Sequence, residues 1–399
     1  MERRFFLRGA ALLGCSAAAH PFLSTLTLAS ADGGKPLGEH RLIVIILRGA
    51  MDGLDVLQPC GDPMLATYRP GLAVNTGATD LDGYFALHAR LGALLPLWQA
   101  GELAFAHAVS TPYRDKRSHF DGQDMLEAGT GMDVPLAAVR DGWMNRLLQA
   151  VPGLRAETAY AVGREAMPML AGAAPSRSWA PDTALQTSSQ SRLLLDAIYH
   201  DDPLFRDAAG AAMDLAGLPG GMGGVPEKGS DPAKLSEIDT LVDFAAARLT
   251  EDTRIAAFSL NGWDTHKGQV AAIGQSLTRL ERTILRLKDQ LGPVWGTTTV
   301  LAMTEFGRTV RENGTKGTDH GTGGLMLMAG GTVRGGRVYG RWPGLAESDL
   351  YDQRDLMPTG DVRAYAAWAM AGAYGLAPGV LETSIFPGLD LGDNPKFML

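Results

Sequence analysis

Cysteine is nearly absent from this chain: only Cys15 and Cys60 occur in 399 residues. That excludes a disulfide framework and any zinc cluster built on several thiolates. Basic residues are also scarce, with 36 Lys and Arg against 44 Asp and Glu and a formal net charge of −8. No basic patch is dense enough to hold a phosphate backbone, so nucleic acid is not expected as a partner. Also missing are a phosphate loop of the G-x-x-x-x-G-K-S type and any repeat at a solenoid period. What the chain has in quantity is hydrophobic residues, 45%, and glycine, 50 residues. The first allows a large core at this length; the second points to many tight turns and ordered loops rather than a helical bundle.

The N-terminal stretch MERRFFLRGAALLGCSAAAHPFLSTLTLASA has a charged start, an apolar middle and a small-residue end, the pattern of an export signal. Arg3 and Arg4 followed by Phe6-Leu7 match the twin-arginine pattern R-R-x-F-L. The expected organisation is a signal peptide over 1–31, cleaved after Ala31, then one α/β domain over 32–399. An uncleaved anchor is the alternative, but Gly9, His20 and Pro21 interrupt an apolar run already short for a span. Leu12-Leu13-Gly14-Cys15 faintly resembles a lipoprotein box. The expectation is a periplasmic or extracellular protein that meets the Tat translocase during export and makes no stable membrane insertion.

After residue 40 strands and helices alternate. Arg41–Leu47, a continuous run rich in β-branched residues, reads as a strand covered on both faces. Leu103–Val109, Arg254–Ser259, Thr297–Met303 and Leu325–Met328 read as further strands. Between the third and fourth lies an amphipathic helix with Val270, Ile273, Leu277, Leu280, Ile284, Leu287 and Leu291 on one face and Arg and Lys on the other. A strand–helix–strand unit favours a parallel sheet, so the fold class is α/β: a mostly parallel central sheet with helices on both faces. Residues 191–250 read as a helical insertion, broken by the Gly/Pro stretch 218–226.

In open α/β sheets ligands collect beyond the carboxyl ends of the strands. After the first strand comes RGAMDGLD, with Asp52; after the second, STPYRDKRSHFDGQD, with Arg117, Ser118 and His119. NGWDTH, with Asp264 and His266, follows the third; TEFGR and GTDHGTGG, with Glu305, Asp319 and His320, follow the fourth. If these strands are parallel, the carboxylates, hydroxyls and imidazoles share one edge. Asp52 could serve only as a turn residue, Asp264 or Thr265 as a helix cap, and Glu305 as a helix-start acid or a partner for Arg308. Asp319-His320 lies among Gly317, Gly321, Gly323 and Gly324, a sign of backbone pressed close to something. Oxygen and nitrogen donors without thiolate suit Zn, Mn, Mg or Ca, with imidazole favouring Zn or Mn. The helix beginning near Ser118 offers free N–H groups to an anion, with Arg114 and Arg117 near its start.

These motifs together resemble a widespread, typically Tat-exported bacterial domain-of-unknown-function family of the alkaline-phosphatase-like superfamily. The likeness runs from about residue 40 to the C-terminus. It implies an alkaline-phosphatase-like fold and an exported hydrolase of a phosphate or sulfate ester, dependent on one or two divalent metal ions. By position, Asp52, Asp264, His266, Glu305 and His320 would match metal ligands, with Asp319 beside the last. Ser118 would match the helix-start nucleophile, between Arg117 and His119. Two departures stand out: the acid–histidine spacing is Asp264-x-His266, and Phe306 follows Glu305 where a second ligand would stand. Ser110 is a rival nucleophile, because Ser110–Arg114 fits a sulfatase-like S-x-P-x-R pattern. Cys60 lacks the context for conversion to formylglycine. The alternative is an inactive binding or assembly protein on the same fold.

Overall fold

An apolar strand with no polar face must lie inside a sheet covered on both sides, and β1, Arg41–Arg48, does so. Leu42, Val44 and Ile46 enter one core, and Ile43, Ile45 and Leu47 enter the other. The structure, a computed structural model, describes residues 37–73, 77–114, 116–132, 141–181 and 232–399. The expected signal peptide and the Gly/Pro stretch 218–226 lie outside the described residues, as does the expected helical insertion before residue 232.

The main sheet has nine strands. After β1 come β2 (Leu103–Ser110), β3 (Ala159–Val162), β4 (Arg177–Trp179), β5 (Ile255–Asn261) and β6 (Thr298–Met303). Then follow β7 (Gly324–Ala329), β8 (Arg337–Tyr339) and β9 (Gly360–Asp361). The order is β8-β2-β7-β6-β1-β5-β3-β4, with β9 also pairing with β2. Every pairing is parallel except those of β7, which runs antiparallel to both β2 and β6. The mostly parallel α/β fold expected from the sequence is therefore the one observed. β1, β2, β5 and β6 all point the same way, so their carboxyl ends share one edge. Because β7 is reversed, residues 304–323 leave β6 and return to β7 on that same edge, without crossing the sheet.

Helices cover both faces. α1 (His119–Ala128), α2 (Trp143–Ala150) and α5 (Val362–Tyr374) contribute to one core. α3 (Pro232–Leu249) and α4 (Gln269–Leu291) contribute to the other. α4 buries Ile273, Leu277, Leu280, Ile284, Leu287 and Leu291, as its period predicts. Val270 departs from that expectation: it is 59% exposed, while the adjacent Gln269 takes the buried place in the first turn of α4. The basic face of α4 pairs with α3 through Arg282–Asp239 and Arg286–Asp243. Among the described residues no helix is long and apolar enough to cross a membrane.

A buried polar layer fastens the edge loops to the sheet. Arg69 is enclosed; its Nη1 reaches Asp52 Oδ2 at 2.8 Å, and its Nε and Nη2 donate to the carbonyls of Val310 and Thr309 at 2.8 and 2.7 Å. Gln269 donates to Asp52 Oδ2 at 2.6 Å and to Asp55 Oδ2 at 2.9 Å. Removing one partner of such a pair strands a buried charge. Arg69→Met should lower the urea unfolding free energy by about 3–5 kcal/mol. Burial, then the adjacent negative charge of Asp52, raise the Asp55 carboxyl from 3.8 to about 6. The folded state then keeps a proton that the unfolded chain releases, so this contribution is full below the unfolded value and is lost as pH rises through the folded one. Melting temperatures across that window should fall less with rising pH in Asp55→Asn than in the natural sequence.

Candidate metal centre

Glu305 stands two residues beyond β6 and is fully buried. After β1 the chain turns through Gly49 and Ala50, both at positive φ (118° and 60°), and the N–H groups of both residues point at Glu305 Oε1. They donate at 2.9 and 3.1 Å. A side chain at Gly49 would place its Cβ 2.6 Å from the Asp264 backbone nitrogen, so this turn requires glycine. Gln123 Nε2 donates to the same Oε1 at 3.1 Å, and Thr304 Oγ1 donates to Oε2 at 3.0 Å. Burial alone would raise this carboxyl, but hydrogen bonds from His119, Gln123 and Gly49 outweigh it and hold it below the ordinary range. Glu305 is thus ionised and saturated with donors. It is neither a helix-start acid nor a partner of Arg308.

One of those donors is His119, whose Nδ1 lies 2.8 Å from Glu305 Oε1. The ring hangs from the first turn of α1, whose N-cap is Ser118: its Oγ accepts from the Asp121 N–H at 3.4 Å. Arg117 just before it has φ +53°, a costly conformation for a residue with a side chain. It turns the Arg117 carbonyl toward His320 Nδ1, 2.8 Å away. The third imidazole, His266, sets Nδ1 3.1 Å from Asp319 Oδ1. Asn313 Nδ2 donates to that oxygen at 3.0 Å. Burial would raise Asp319, but Asn313 and His266 outweigh it and hold it below the usual carboxylate range.

The three Nδ1 partners are a carbonyl and two ionised carboxylates, all acceptors. Each Nδ1 therefore carries a ring hydrogen, which leaves Nε2 as the atom that offers a lone pair to a cation. The three Nε2 atoms converge on Asp264. His266 and His320 lie 3.0 and 3.3 Å from its Oδ1, and His119 lies 3.5 Å from its Oδ2. His266 and His320 also face each other, Nε2 to Nε2, at 2.9 Å. His119 Nε2 is buried without a hydrogen-bond partner. Lone pairs aimed at a carboxylate and at one another repel unless a cation stands among them. Three protonated rings would instead repel each other and the nearby Arg308. A divalent metal fits this donor set. The ligand atoms of His119, Asp264 and His320 all lie within 4.8 Å of one another. Each imidazole is held from behind by an acceptor, the arrangement that orients histidine ligands in metal sites.

The structure thus places Asp264, His266 and His320 together, with His119 beside them. Glu305 and Asp319 sit behind the rings, on their Nδ1 atoms. Asp52 lies apart in the buried layer, taken up by Arg69, Gln269, Thr318 and the Leu54 N–H. Ser118 falls between the two residues that touch the cluster. Arg117 directs its guanidinium to Asp355, 3.4 Å away. Arg114 donates to the carbonyls of Thr111 and Tyr113, and Ser110 is buried, donating to the Thr111 carbonyl at 2.9 Å. Phe306 forms the apolar rear wall, stacked on His119 with centroids 5.3 Å apart.

Two participants were not singled out by the sequence. Gln123, one turn after His119 on α1, joins that histidine at a single oxygen of Glu305. The i, i+4 spacing was the available signal. Arg308 is buried with Nη2 3.0 Å from Asp264 Oδ1, yet none of its guanidinium nitrogens makes a hydrogen bond of good geometry. Burial would raise the Asp264 carboxyl, but the positive charge of Arg308 beside it holds it below the ordinary range.

A family model described as "Protein of unknown function (DUF1501)" matches residues 106–367. No curated protein matches the chain. Among solved structures, the chain is similar to the zinc complex of the C-terminal periplasmic domain of EptC from Escherichia coli. Identity is 10% over 74% of this chain and 75% of that one, with a TM-score of 0.39. It is similar also to the lipoteichoic acid synthase LtaP from Listeria monocytogenes, at 10% identity over 87% and 76%, TM-score 0.39. A magnesium-bound mutant of TAB5 alkaline phosphatase matches at 11% identity over 75% and 94%, TM-score 0.34.

Glu305→Gln keeps the shape but removes the charge behind His119. It should weaken Zn or Mn binding about 10–100-fold, measured by competition with a chelator, while the folded secondary structure is retained.

Proposed function

We propose that this chain, which belongs to the DUF1501 family by its match over residues 106–367, is a metal-dependent hydrolase of phosphate or sulfate esters. The observation that carries this reading is the convergence of three Nε2 lone pairs on Asp264 beside a buried guanidinium with unsatisfied donors. His119, Asp264 and His320 would hold the ion, with His266 beside them; Zn or Mn suits the donors best. When bound, a divalent ion supplies Lewis-acid polarisation of an ester oxygen and lowers the pKa of a coordinated hydroxyl.

The other roles belong to the protein. Glu305 and the Arg117 carbonyl fix the tautomers of His119 and His320, so the site is set before substrate arrives. Arg308 adds fixed positive charge at Asp264, which favours an anionic substrate over a neutral one. The first-turn N–H groups of α1 add to that preference. Ser118, between Arg117 and His119, is the hydroxyl we assign as nucleophile; Ser110 is enclosed and directed at its own backbone. Net hydrolysis breaks the ester P–O or S–O bond, with water giving oxygen to the acid and a proton to the alcohol. The twin-arginine pattern at Arg3-Arg4 supports an activity exported from the cytoplasm.

Metal analysis of the purified protein should find a divalent ion, lost in Asp264→Ala and His320→Ala. Ser118→Ala should keep the metal and reduce hydrolysis of an aryl phosphate or aryl sulfate by about 10³-fold. A natural protein that takes up no divalent metal would refute the reading. A metal-loaded protein inert toward every ester would instead favour a binding or assembly role, consistent with Phe306 standing where a further ligand would.

A further inference from the structure

Beside the metal centre, and linked to it by one residue, lies a cavity of about 370 Å³. One wall is a single stripe of α1: Phe120, Gln123, Asp124 and Glu127, at spacings i, i+3, i+4 and i+7. The facing wall is the segment after β3, with Glu165, Ala166 and Pro168. Gln123 makes the link. Its Nε2 donates to the Glu305 oxygen that also holds His119, and its Oε1 accepts from Arg48 Nη1 at 2.9 Å. Phe120 directly follows the cluster histidine His119 on α1, so the lining of the cavity begins one residue from that ring.

Its lining selects by charge. Arg48 is the only cation among the described residues that line it, and Glu127 and Glu165 already hold that guanidinium, at 2.8 and 3.0 Å. Arg48 cannot neutralise both carboxylates, and Asp124 stands exposed on the same stripe. Phe120 lines the cavity and is 83% exposed, so its ring is open to a ligand. An exposed aromatic face beside carboxylates is the combination that holds an ammonium group, by cation–π attraction and ion pairing.

We infer that this cavity binds the alcohol portion of the substrate and that this portion carries an ammonium group, an assignment that rests on the metal-centre reading above. The substrate would then be zwitterionic, its anionic group at Arg308 and the cluster and its cation between Phe120 and Asp124.

Non-hydrolysable phosphonates test this by calorimetry on the metal-loaded full chain. Methylphosphonate probes the anion site alone. 2-Aminoethylphosphonate and 3-aminopropylphosphonate are compared with n-propylphosphonate and n-butylphosphonate, which lack the ammonium group. The natural protein should favour the amino compounds about tenfold. Phe120→Ala and Asp124→Asn, both at exposed positions, should each reduce that preference several-fold and leave methylphosphonate affinity unchanged. If methylphosphonate binds but the amino compounds hold no advantage, or if the advantage survives in both variants, the ammonium subsite is overturned and the metal centre stands. If no phosphonate binds the metal-loaded protein, the ammonium subsite falls together with the phosphate-ester form of the reading above.

Discussion

The edge of this protein is organised by one buried carboxylate. Glu305 gathers the backbone of the turn after β1, the first-turn imidazole of α1, an amide one turn further along α1, and the hydroxyl of the residue that leaves β6. Those groups come from three separated parts of the chain. An unpaired carboxylate at that depth would cost several kcal/mol, so it persists only because all these donors arrive together. Any disturbance of the β1 turn, the start of α1 or the end of β6 therefore reaches His119.

Strain is concentrated where it holds that arrangement. Ala50 and Arg117 both adopt positive φ without being glycine. Ala50 directs its N–H to Glu305, and Arg117 directs its carbonyl to His320. Each departure costs of order 1–3 kcal/mol, and each serves a backbone atom that fixes a functional side chain. The reversed strand β7 contributes at a larger scale. By returning the chain along the edge it left, it sets Glu305 and His320, fifteen positions apart in sequence, on one site.

Charge matching separates the acids of the buried layer from the acid of the candidate centre. Asp52 and Asp355 are buried against arginines, Arg69 for the first, Arg117 and Arg354 for the second. Asp264 differs, because it lies partly open and draws three imidazoles and Arg308 at once. An acid so surrounded, next to rings whose protons point away, is where a cation is best accommodated. The same matching leaves the neighbouring cavity on α1 short of positive charge, and this gives it a selectivity distinct from that of the centre.

The sequence by itself determined the apolar strands at the centre of the sheet. Runs such as Leu42–Leu47 are apolar at every position, and no arrangement but a doubly covered strand buries both faces of such a run. It also determined which loops carry chemistry, since polar clusters following such strands gather at one edge once the strands are parallel. For that reason the meeting of Asp264, His266 and His320 at one edge was legible. The role of each acid was not, because Asp52, Glu305 and Asp264 all occur as single acids beyond strand ends. Only the tertiary structure decided that Asp52 meets Arg69, that Glu305 is enclosed by donors, and that Asp264 faces open lone pairs. Those partners lie up to 256 residues away in the chain, and no local pattern records which distant side chain fills the space beside a carboxylate. Val270, exposed despite its helical register, follows the same rule: the buried place in that turn goes to Gln269, whose partners Asp52 and Asp55 lie more than 200 residues away in the chain.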